Sequence, residues 1–329
     1  MQESLNLDNW RQLTREQQRQ LFNQILLYYV NPLLQIGQTD FVTLNFAGER
    51  LSTLATWIQG ERFIFIPGQP MVNIGWANSA VQLDWSTFLE ATTPGTTKLK
   101  TAAAVQDYIE HFTSTAREAT FAPSLVAERA LPVDRQVRGL YQSVTGRFVG
   151  DQSFFHQYQH ELVTALRPTA EALNPFITDS ITEQATPHLS IRLLEDGVHY
   201  QVCELLPTTY GQLKQRIEQR GFDLLMPAEW EYLANSGQTT LFPWGNQLTA
   251  PELFKNGFNL EFSQRQMAYE LTDDLGVLKL GPAASSGSLK IEQLLPRSAY
   301  YQLPQTVALE QALTAQQYLY RKTIRVTFD

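Results

Sequence analysis

The chain has 329 residues, 43% hydrophobic and 11% aromatic, which is enough to bury a large core and excludes an intrinsically disordered protein. Its formal charge of -8 opposes nonspecific binding to nucleic acid or to anionic membranes, so neither is expected as a partner. No apolar run reaches the roughly 18 residues of a membrane helix, and the N-terminal residues lack the pattern of a secretory signal. We therefore expect a cytoplasmic protein.

The N-terminal 60 residues predict one helix followed by a β-hairpin. The sequence Thr-Arg-Glu-Gln at 14–17 has the form of a capping box that opens a helix. Apolar residues then recur at helical spacing, at Leu21, Phe22, Ile25, Leu26 and Tyr29. Pro32 should end this helix. Residues 41–46 alternate as a strand does, and the turn signal at 47–49 indicates the hairpin.

From residue 61 onward, strand and helix signals are interleaved without a regular βαβ rhythm, which favours an α+β fold over a doubly wound sheet. The predicted elements are, in chain order, a buried strand at 62–66 that continues at 72–76, a loop at 91–100, a partly helical stretch at 101–130, a helix at 155–166, a hairpin at 189–206 and a helix at 208–220 that ends at Gly221.

Cys203 is the only cysteine, which excludes an intrachain disulfide and a cysteine-based zinc cluster. It lies in the sequence Tyr-Gln-Val-Cys-Glu-Leu-Leu, which is typical of a strand. We expect a small buried hydrophobic side chain at this position, and not a reactive thiol.

The most informative segment is residues 221–246, which predicts a short helix followed by an aromatic turn. Pro227 suits the first position of a helix, and Gly237 suits its end. Trp230 lies on the same helix face as the residue four positions later and is predicted to fill the core. Glu229 is predicted to receive backbone N–H groups from the loop that follows.

This segment resembles the signature of the formylglycine-generating-enzyme-like (sulfatase-modifying-factor) domain family, G-F-R-L-P-T-x-x-E-W-E-Y-A-x-x-G-G followed by L-F-P-W-G-N. The resemblance implies a C-type-lectin-like fold with short strands, few helices and much irregular loop. The turn at 242–246 is predicted to hold loops in place: it contains Trp244, Gly245 permits positive φ, and Asn246 can bond its own backbone.

Fainter resemblance to the family extends along the chain, at 63–76, 256–260, 269–272, 280–287 and 323–328. Asn259 stands where the family usually has glycine. The resemblance implies one family domain over residues 61–329, with the helix and hairpin of residues 1–60 packed on it.

Formylglycine-generating enzymes oxidise a substrate cysteine with oxygen, using a pair of cysteines that bind copper. No cysteine lies between residues 211 and 329, so the soft ligands that Cu(I) needs are absent apart from thioethers. The sequence therefore favours a noncatalytic scaffold, a pseudoenzyme that binds a protein or a small ligand, without a cofactor. The warrant for binding is analogy at the level of the fold.

Two metal sites remain open as alternatives. A related branch of the superfamily holds non-haem iron with three histidines, which would make this chain a metal-dependent oxidoreductase with a replaced active site. His156 and His160 lie one helical turn apart, and His188 or His199 would be the third ligand. Such a pair is equally compatible with a solvated helix face.

Calcium is the second metal, because relatives often use it to stabilise loops. The oxygen donors near the matching region are Asn256, Glu270, Asp273 and Asp274, although their spacing is not that of an EF-hand loop. The alternative is a solvated acidic turn. The sequence also leaves open that the N-terminal helix, at 15–31, docks on another chain through its apolar run, or that it is buried against its own domain.

Overall fold

The computed structural model describes residues 3–46, 48–77, 83–90, 92, 99–167, 182–248, 253–263, 268–281, 290–302 and 306–327. Over these residues the chain has eight α-helices and many, mostly antiparallel, strands, which confirms the predicted mixed α+β class. Most of the predicted loop at 91–100 and of the segment at 280–287 lies outside the described residues.

The helices are short, apart from three of eleven or more residues: α1 (Leu7–Gln12), α2 (Arg15–Tyr29), α3 (Trp85–Glu90), α4 (Ala102–Phe112), α5 (Gln152–Ala165), α6 (Tyr210–Glu218), α7 (Pro227–Ala234) and α8 (Ile291–Leu294). Within the described ranges, no helix has both the length and the apolar character to cross a membrane.

The strands before residue 151 are β1 (Ile36–Phe46), β2 (Glu49–Ile58), β3 (Glu61–Ile66), β4 (Gln69–Ile74), β5 (Arg117–Phe121), β6 (Ser124–Ala127), β7 (Leu131–Pro132), β8 (Arg135–Gln142) and β9 (Arg147–Gly150). Those after it are β10 (Glu183–Ala185), β11 (Leu189–Leu193), β12 (His199–Leu205), β13 (Thr208–Thr209), β14 (Asp223–Leu224), β15 (Leu253–Lys255), β16 (Glu261–Ser263), β17 (Tyr269–Leu271), β18 (Leu278–Lys279), β19 (Ala312–Leu313), β20 (Tyr318–Tyr320) and β21 (Lys322–Arg325).

A six-stranded antiparallel sheet, ordered β1-β2-β3-β6-β21-β14, forms the centre of the fold. The predicted N-terminal hairpin is its edge, and β2 pairs directly with β3. The boundary that the sequence places at residue 60 therefore falls in the turn between two hydrogen-bonded strands. The strand near the end of the chain, β21, lies inside this sheet, so distant parts of the chain must meet before the sheet is complete.

The N-terminal helices cover one face of this sheet. Thr14 and Gln17 form the predicted capping box, and α2 ends before Pro32 as expected. The buried Trp10 and Phe22 rings both contact Phe65 of β3, with ring centroids 4.8 and 6.2 Å away. Within the apolar run at 25–30, Ile25, Leu26 and Val30 are thus buried against the rest of the chain, whereas Leu27 and Tyr28 are exposed.

Residues 135–167 and 182–205 form a second unit that the sequence does not predict. They build a five-stranded antiparallel sheet, ordered β10-β11-β12-β8-β9. Helix α5 packs on one face of this sheet around a separate apolar core, whose buried members are Tyr141, Phe148, Phe154, Leu162, Leu189, Ile191, Tyr200 and Val202. The hairpin and the helix were each predicted, but their joining into one inserted unit was not.

The sequence predicts that the segment at 72–76 continues strand β3, but in the structure it does not. Residues 72–74 belong to β4, which pairs with β5 in a separate two-stranded sheet. Gly75 directly follows β4 and has a φ of +83°, a conformation that favours glycine. A four-stranded sheet, β18-β17-β20-β7, completes the main unit and contains one parallel pair, β17 with β20.

The close approach of Gly75 to the backbone of Thr115 gives a first test. A Cβ atom at Gly75 would lie 2.1 Å from the backbone oxygen of Thr115, whereas Gly197, with φ of +68°, has nothing within 4 Å. Both substitutions to alanine incur the left-handed backbone penalty of about 1–2 kcal/mol. We expect Gly75→Ala to cost about 2–5 kcal/mol in total, because overpacking adds to that penalty. Urea unfolding of the two variants measures the difference, and equal costs would contradict the described contact.

Candidate functional site

The signature helix α7 begins at Pro227, as predicted, and ends at Ala234. Gly237 follows with a φ of +70° and terminates the segment. Trp230 is 1% exposed and packs edge-on against Phe262, with ring centroids 5.9 Å apart. The prediction that Trp230 fills the core is therefore confirmed.

Glu229 has a different role from the predicted one. Its carboxylate accepts the N–H of Met226, which precedes the helix, and it does not receive the loop that follows. Its other partner is Arg325 on β21, which donates to both carboxylate oxygens at 2.7 Å. A bidentate pair of this kind fixes orientation as well as distance. Glu229 thus joins the signature helix to β21, in the last segment that resembles the family.

The aromatic turn after α7 has the predicted conformation. Gly245 has a φ of +119° and exchanges two backbone hydrogen bonds with Phe242. The ring of Trp244 stacks on that of Phe242 at a centroid distance of 4.8 Å. Asn246 closes the turn by accepting the N–H of Leu241 at 2.8 Å. These contacts hold a loop in shape.

A buried ion pair lies on the opposite side of α7. The Glu231 carboxylate is 2.9 Å from the Lys279 ammonium, and both side chains are almost fully buried. Glu231 also accepts from Ser114 and lies 3.3 Å from Arg117. Burial lowers the pKa of Lys279, and the adjacent Glu231 opposes that shift. The pair therefore stabilises the junction of α7 with β18 only while both members are present.

The calcium hypothesis fails at Asn256, because this side chain is fully used by the protein. Its amide nitrogen donates to the carbonyls of Leu233 and Ala234 at the end of α7. Its oxygen accepts the N–H groups of Phe258 and Leu260, each at 3.0 Å. The next turn contains Asn259 with a φ of +58°, a conformation that explains why glycine also suits this position.

The acidic members of the calcium set are also occupied. Glu270 is buried and binds Arg321 at 2.9 Å, and Asp273 lies 2.5 Å from the ammonium of Lys214. Thr272 and Asp274 bond within their own turn. These groups do not converge, so the predicted calcium set is wrong.

The described histidines do not form the iron site either. His156 and His160 are exposed on α5. His188 bonds Glu161 at 3.0 Å, and His199 bonds Asp196 in its own hairpin turn at 2.6 Å. Over the described ranges, no three His, Cys, Asp or Glu side chains are placed to hold a metal ion. Helical spacing put two histidines together, but the fold supplies no third.

Two adjoining cavities border the five-stranded sheet: the first, called the outer cavity, lies against the central sheet, and the second, called the inner cavity, lies against β7 and β20 of the four-stranded sheet. The outer cavity has a volume of about 450 Å³ and the inner one about 350 Å³. They share four lining residues, Arg129, Leu131, Arg192 and Gln201. Concave spaces of this size are typical of small-molecule sites. None of these residues was a candidate from the sequence.

Each carboxylate that lines the outer cavity has a basic partner. Arg62 binds Asp40 at 2.6 Å, and Lys255 lies 2.8 Å from Glu128 and 2.9 Å from Glu195. The hydrogen bond from Lys255 is the main cause of a lowered pKa at Glu195. The other three carboxylates are paired as Glu61 with Lys322, Asp196 with His199 and Glu261 with Arg129. The carboxylates of the outer cavity are therefore all in contact with a basic side chain.

The inner cavity has a different balance. Three guanidinium groups line it, those of Arg129, Arg135 and Arg192, against one carboxylate, that of Glu183. Glu183 binds Arg135 at 2.7 Å. The Nε of Arg135 is buried and has no hydrogen-bond partner in the described structure. This cavity thus has an excess of positive charge.

Arg192 has no carboxylate in direct contact. No Asp or Glu oxygen of the described residues lies within 4.0 Å of its nitrogens, and its hydrogen bond is to Gln201, at 3.3 Å. Burial and repulsion from Arg129 lower the pKa of Arg192, and the more distant Glu261 and Glu183 oppose that shift only in part. Gln201 in turn donates to the carbonyl of Gly60, which links the inserted sheet to the turn between β2 and β3.

Strand alternation explains how these side chains come together. Arg192 faces Gln201 across β11 and β12, and Ser190 faces Cys203. All four line the inner cavity, while the alternate residues form the apolar core under α5. Burial raises the pKa of the Cys203 thiol to about 12, which fits the predicted inert cysteine. The polar face of this hairpin was visible in the sequence, but the partner that covers it was not.

Comparison with known proteins leaves the family open. No protein-family model matches the chain, and no curated protein matches it significantly. The resemblance to formylglycine-generating-enzyme-like domains therefore depends on the motifs themselves.

The buried pair of Glu231 and Lys279 gives a second test. We expect Glu231→Gln to cost about 3–5 kcal/mol of folding free energy, because it leaves the buried Lys279 without its counter-ion. The exposed pair of Glu218 and Lys214, at 3.8 Å, is the control, and Glu218→Gln should cost at most about 0.5 kcal/mol. Combining Glu231→Gln with Lys279→Met should recover much of the loss. Urea unfolding would contradict the pairing if the two glutamine variants were equally stable.

Proposed function

We propose that this chain is a noncatalytic member of the formylglycine-generating-enzyme-like family, and that it binds a small molecule in the two cavities between its sheets. Three structural observations support the family assignment. Trp230 fills the core, Glu229 and Arg325 join two segments that resemble the family, and Asn259 adopts the backbone of the glycine that it replaces.

The scaffold interpretation follows from what the signature residues do. Glu229, Glu231 and Asn256 each bond neighbouring segments of the chain, so their polar atoms hold loops in place. Trp244 stacks in a turn. Cys203, the one thiol, is buried beside arginines of the inserted sheet. The chain therefore lacks the two-cysteine chemistry of the enzymes that it resembles.

The observation that carries the binding proposal is the pair of adjoining cavities, of about 450 and 350 Å³. Their concave shape suits a small molecule better than a protein surface, which is usually recognised over a larger and flatter area. The inserted unit supplies one wall of both cavities, while the central sheet faces it in the outer cavity and β7 and β20 face it in the inner one, so binding would couple the inserted unit to the rest of the fold.

The noncatalytic part of the proposal is tested with a cysteine-containing sulfatase peptide. We expect purified protein, supplied with copper and oxygen, not to convert the peptide cysteine to an aldehyde, because the chain lacks a pair of thiolates to hold Cu(I). Mass spectrometry of the peptide measures the conversion. A formylglycine-generating enzyme that has both cysteines is the positive control. Aldehyde formation above a no-protein blank would overturn this part.

The binding part is tested by filling the inner cavity. Ala315 lines it and is half-buried, so Ala315→Phe adds bulk there with little strain. Ala312→Phe is the matched control, because Ala312 is exposed on β19 and does not line either cavity. We expect saturation-transfer NMR with a panel of small acids, amides and amines to detect ligands of the native protein and of Ala312→Phe. Those signals should be lost in Ala315→Phe.

Two results would contradict this site. A panel without any ligand for the native protein would argue against small-molecule binding. Ligands that bind Ala315→Phe as well as the native protein would place binding elsewhere.

A further inference from the structure

We infer that the inner cavity binds the oxyanion group of a small organic acid or phosphate ester, with Arg192 as its principal ligand-binding residue. This inference rests on the proposed small-molecule function and adds the chemical class of the ligand. It starts from the three arginines and the single carboxylate that line this cavity.

The three arginines differ in whether their guanidinium groups are already paired with a carboxylate. Arg129 is held by Glu261 at 3.0 Å, and Arg135 is held by Glu183 at 2.7 Å. Arg192 has only the hydrogen bond to Gln201. A guanidinium carries five N–H donors in a planar fork that matches a carboxylate or phosphate. Arg192 therefore presents unused donors to the cavity.

The arrangement has a cost that folding alone does not explain. Arg192 and Arg129 repel each other, and burial disfavours the charged form of Arg192. An unpaired, partly desolvated charge is ordinarily removed or paired. A bound anion would relieve both effects, because it would supply the missing counter-charge between the two guanidinium groups.

The remaining lining defines the rest of the ligand. Apolar side chains also line this cavity, and they include Ala130, Ala268, Ala315, Leu131 and Leu319. Three of these, Ala130, Ala268 and Leu319, form a small buried cluster of their own. A ligand that fits both parts has an oxyanion at one end and a short apolar body at the other.

The outer cavity is not the place for this anion. Six carboxylates line it against the guanidinium groups of Arg62, Arg129 and Arg192, so its charged lining groups are mostly negative. The inner cavity has three guanidinium groups against one carboxylate. The balance of charge therefore favours the inner cavity for the anion.

The test compares four probes that share a six-carbon chain and differ in the end group: hexanoate, hexyl phosphate, hexanamide and hexylamine. Calorimetric titration of the native protein should give binding of one or both anions, at least tenfold tighter than the amide, because charge-assisted hydrogen bonds are the stronger ones. The ratio of hexanoate to hexyl phosphate distinguishes the two oxyanions. The amine should not bind.

Arg192→Gln isolates the residue. We expect it to weaken the anions about tenfold or more and to leave hexanamide unchanged. Arg192→Lys should retain part of the affinity, because it keeps the charge and loses the fork. Arg147→Gln is the matched control, because it removes the same charge. Arg147 is exposed on β9 and lies outside both cavities.

The unfolding temperature distinguishes a ligand-binding role of Arg192 from a structural one. Arg192→Gln should leave the unfolding temperature of the unliganded protein unchanged or raise it, because it removes an uncompensated charge. If instead it lowers the unfolding temperature and weakens all probes equally, Arg192 is structural and the inference is overturned.

The outcomes also separate this inference from the proposed function. Equal binding of hexanoate and hexanamide, with both lost in Ala315→Phe, would leave the small-molecule function standing and overturn the oxyanion assignment. Failure of every probe and of the whole panel described above would remove both.

Discussion

The buried guanidinium of Arg321 is the constraint on which the cavity walls depend. It binds the carboxylate of Glu270 through two nitrogens and donates to the backbone carbonyls of Ala127, Glu128 and Glu261. Arg321 lies between β20 and β21. Its side chain therefore ties the end of β6, the start of β16 and strand β17 to this point of the chain. Removing either charged partner would leave the other buried and unpaired, which is far more costly than losing a surface pair.

This arrangement reaches the cavity through the backbone. Because Arg321 fixes the carbonyls of residues 127 and 128 and that of Glu261, it sets where Arg129 leaves β6 and where its partner Glu261 lies. On the other wall, Gln201 bonds both Arg192 and the carbonyl of Gly60. The arginines of the inner cavity are thus placed by rigid strands, and a ligand would meet them largely preorganised, without a large cost in conformational entropy.

Local elements were largely predictable from the sequence, because their signals are local. The capping box at Thr14, the helix start at Pro227 and the turn at Gly245 are decided by residues within a few positions of one another. The partner of Glu229 was not predictable, since Arg325 lies 96 positions away. The same holds for the candidate site: alternation places Ser190 and Arg192 on one polar strand face, but only the tertiary fold shows that Arg129 and Arg135 cover that face.

The metal hypotheses failed for a related physical reason, and that reason separates scaffold from site. The side chains of Asn256 and Glu270 are bonded within the chain itself, and the carboxylate of Asp273 is paired with Lys214. Polar groups that are satisfied in this way stabilise a fold and have little left for a ligand. Arg192 is the opposite case, because its charge is partly buried, repelled by Arg129 and bonded only to a neutral amide. An incompletely compensated charge, more than acidic or histidine spacing, is therefore the basis on which we propose a ligand site in this chain.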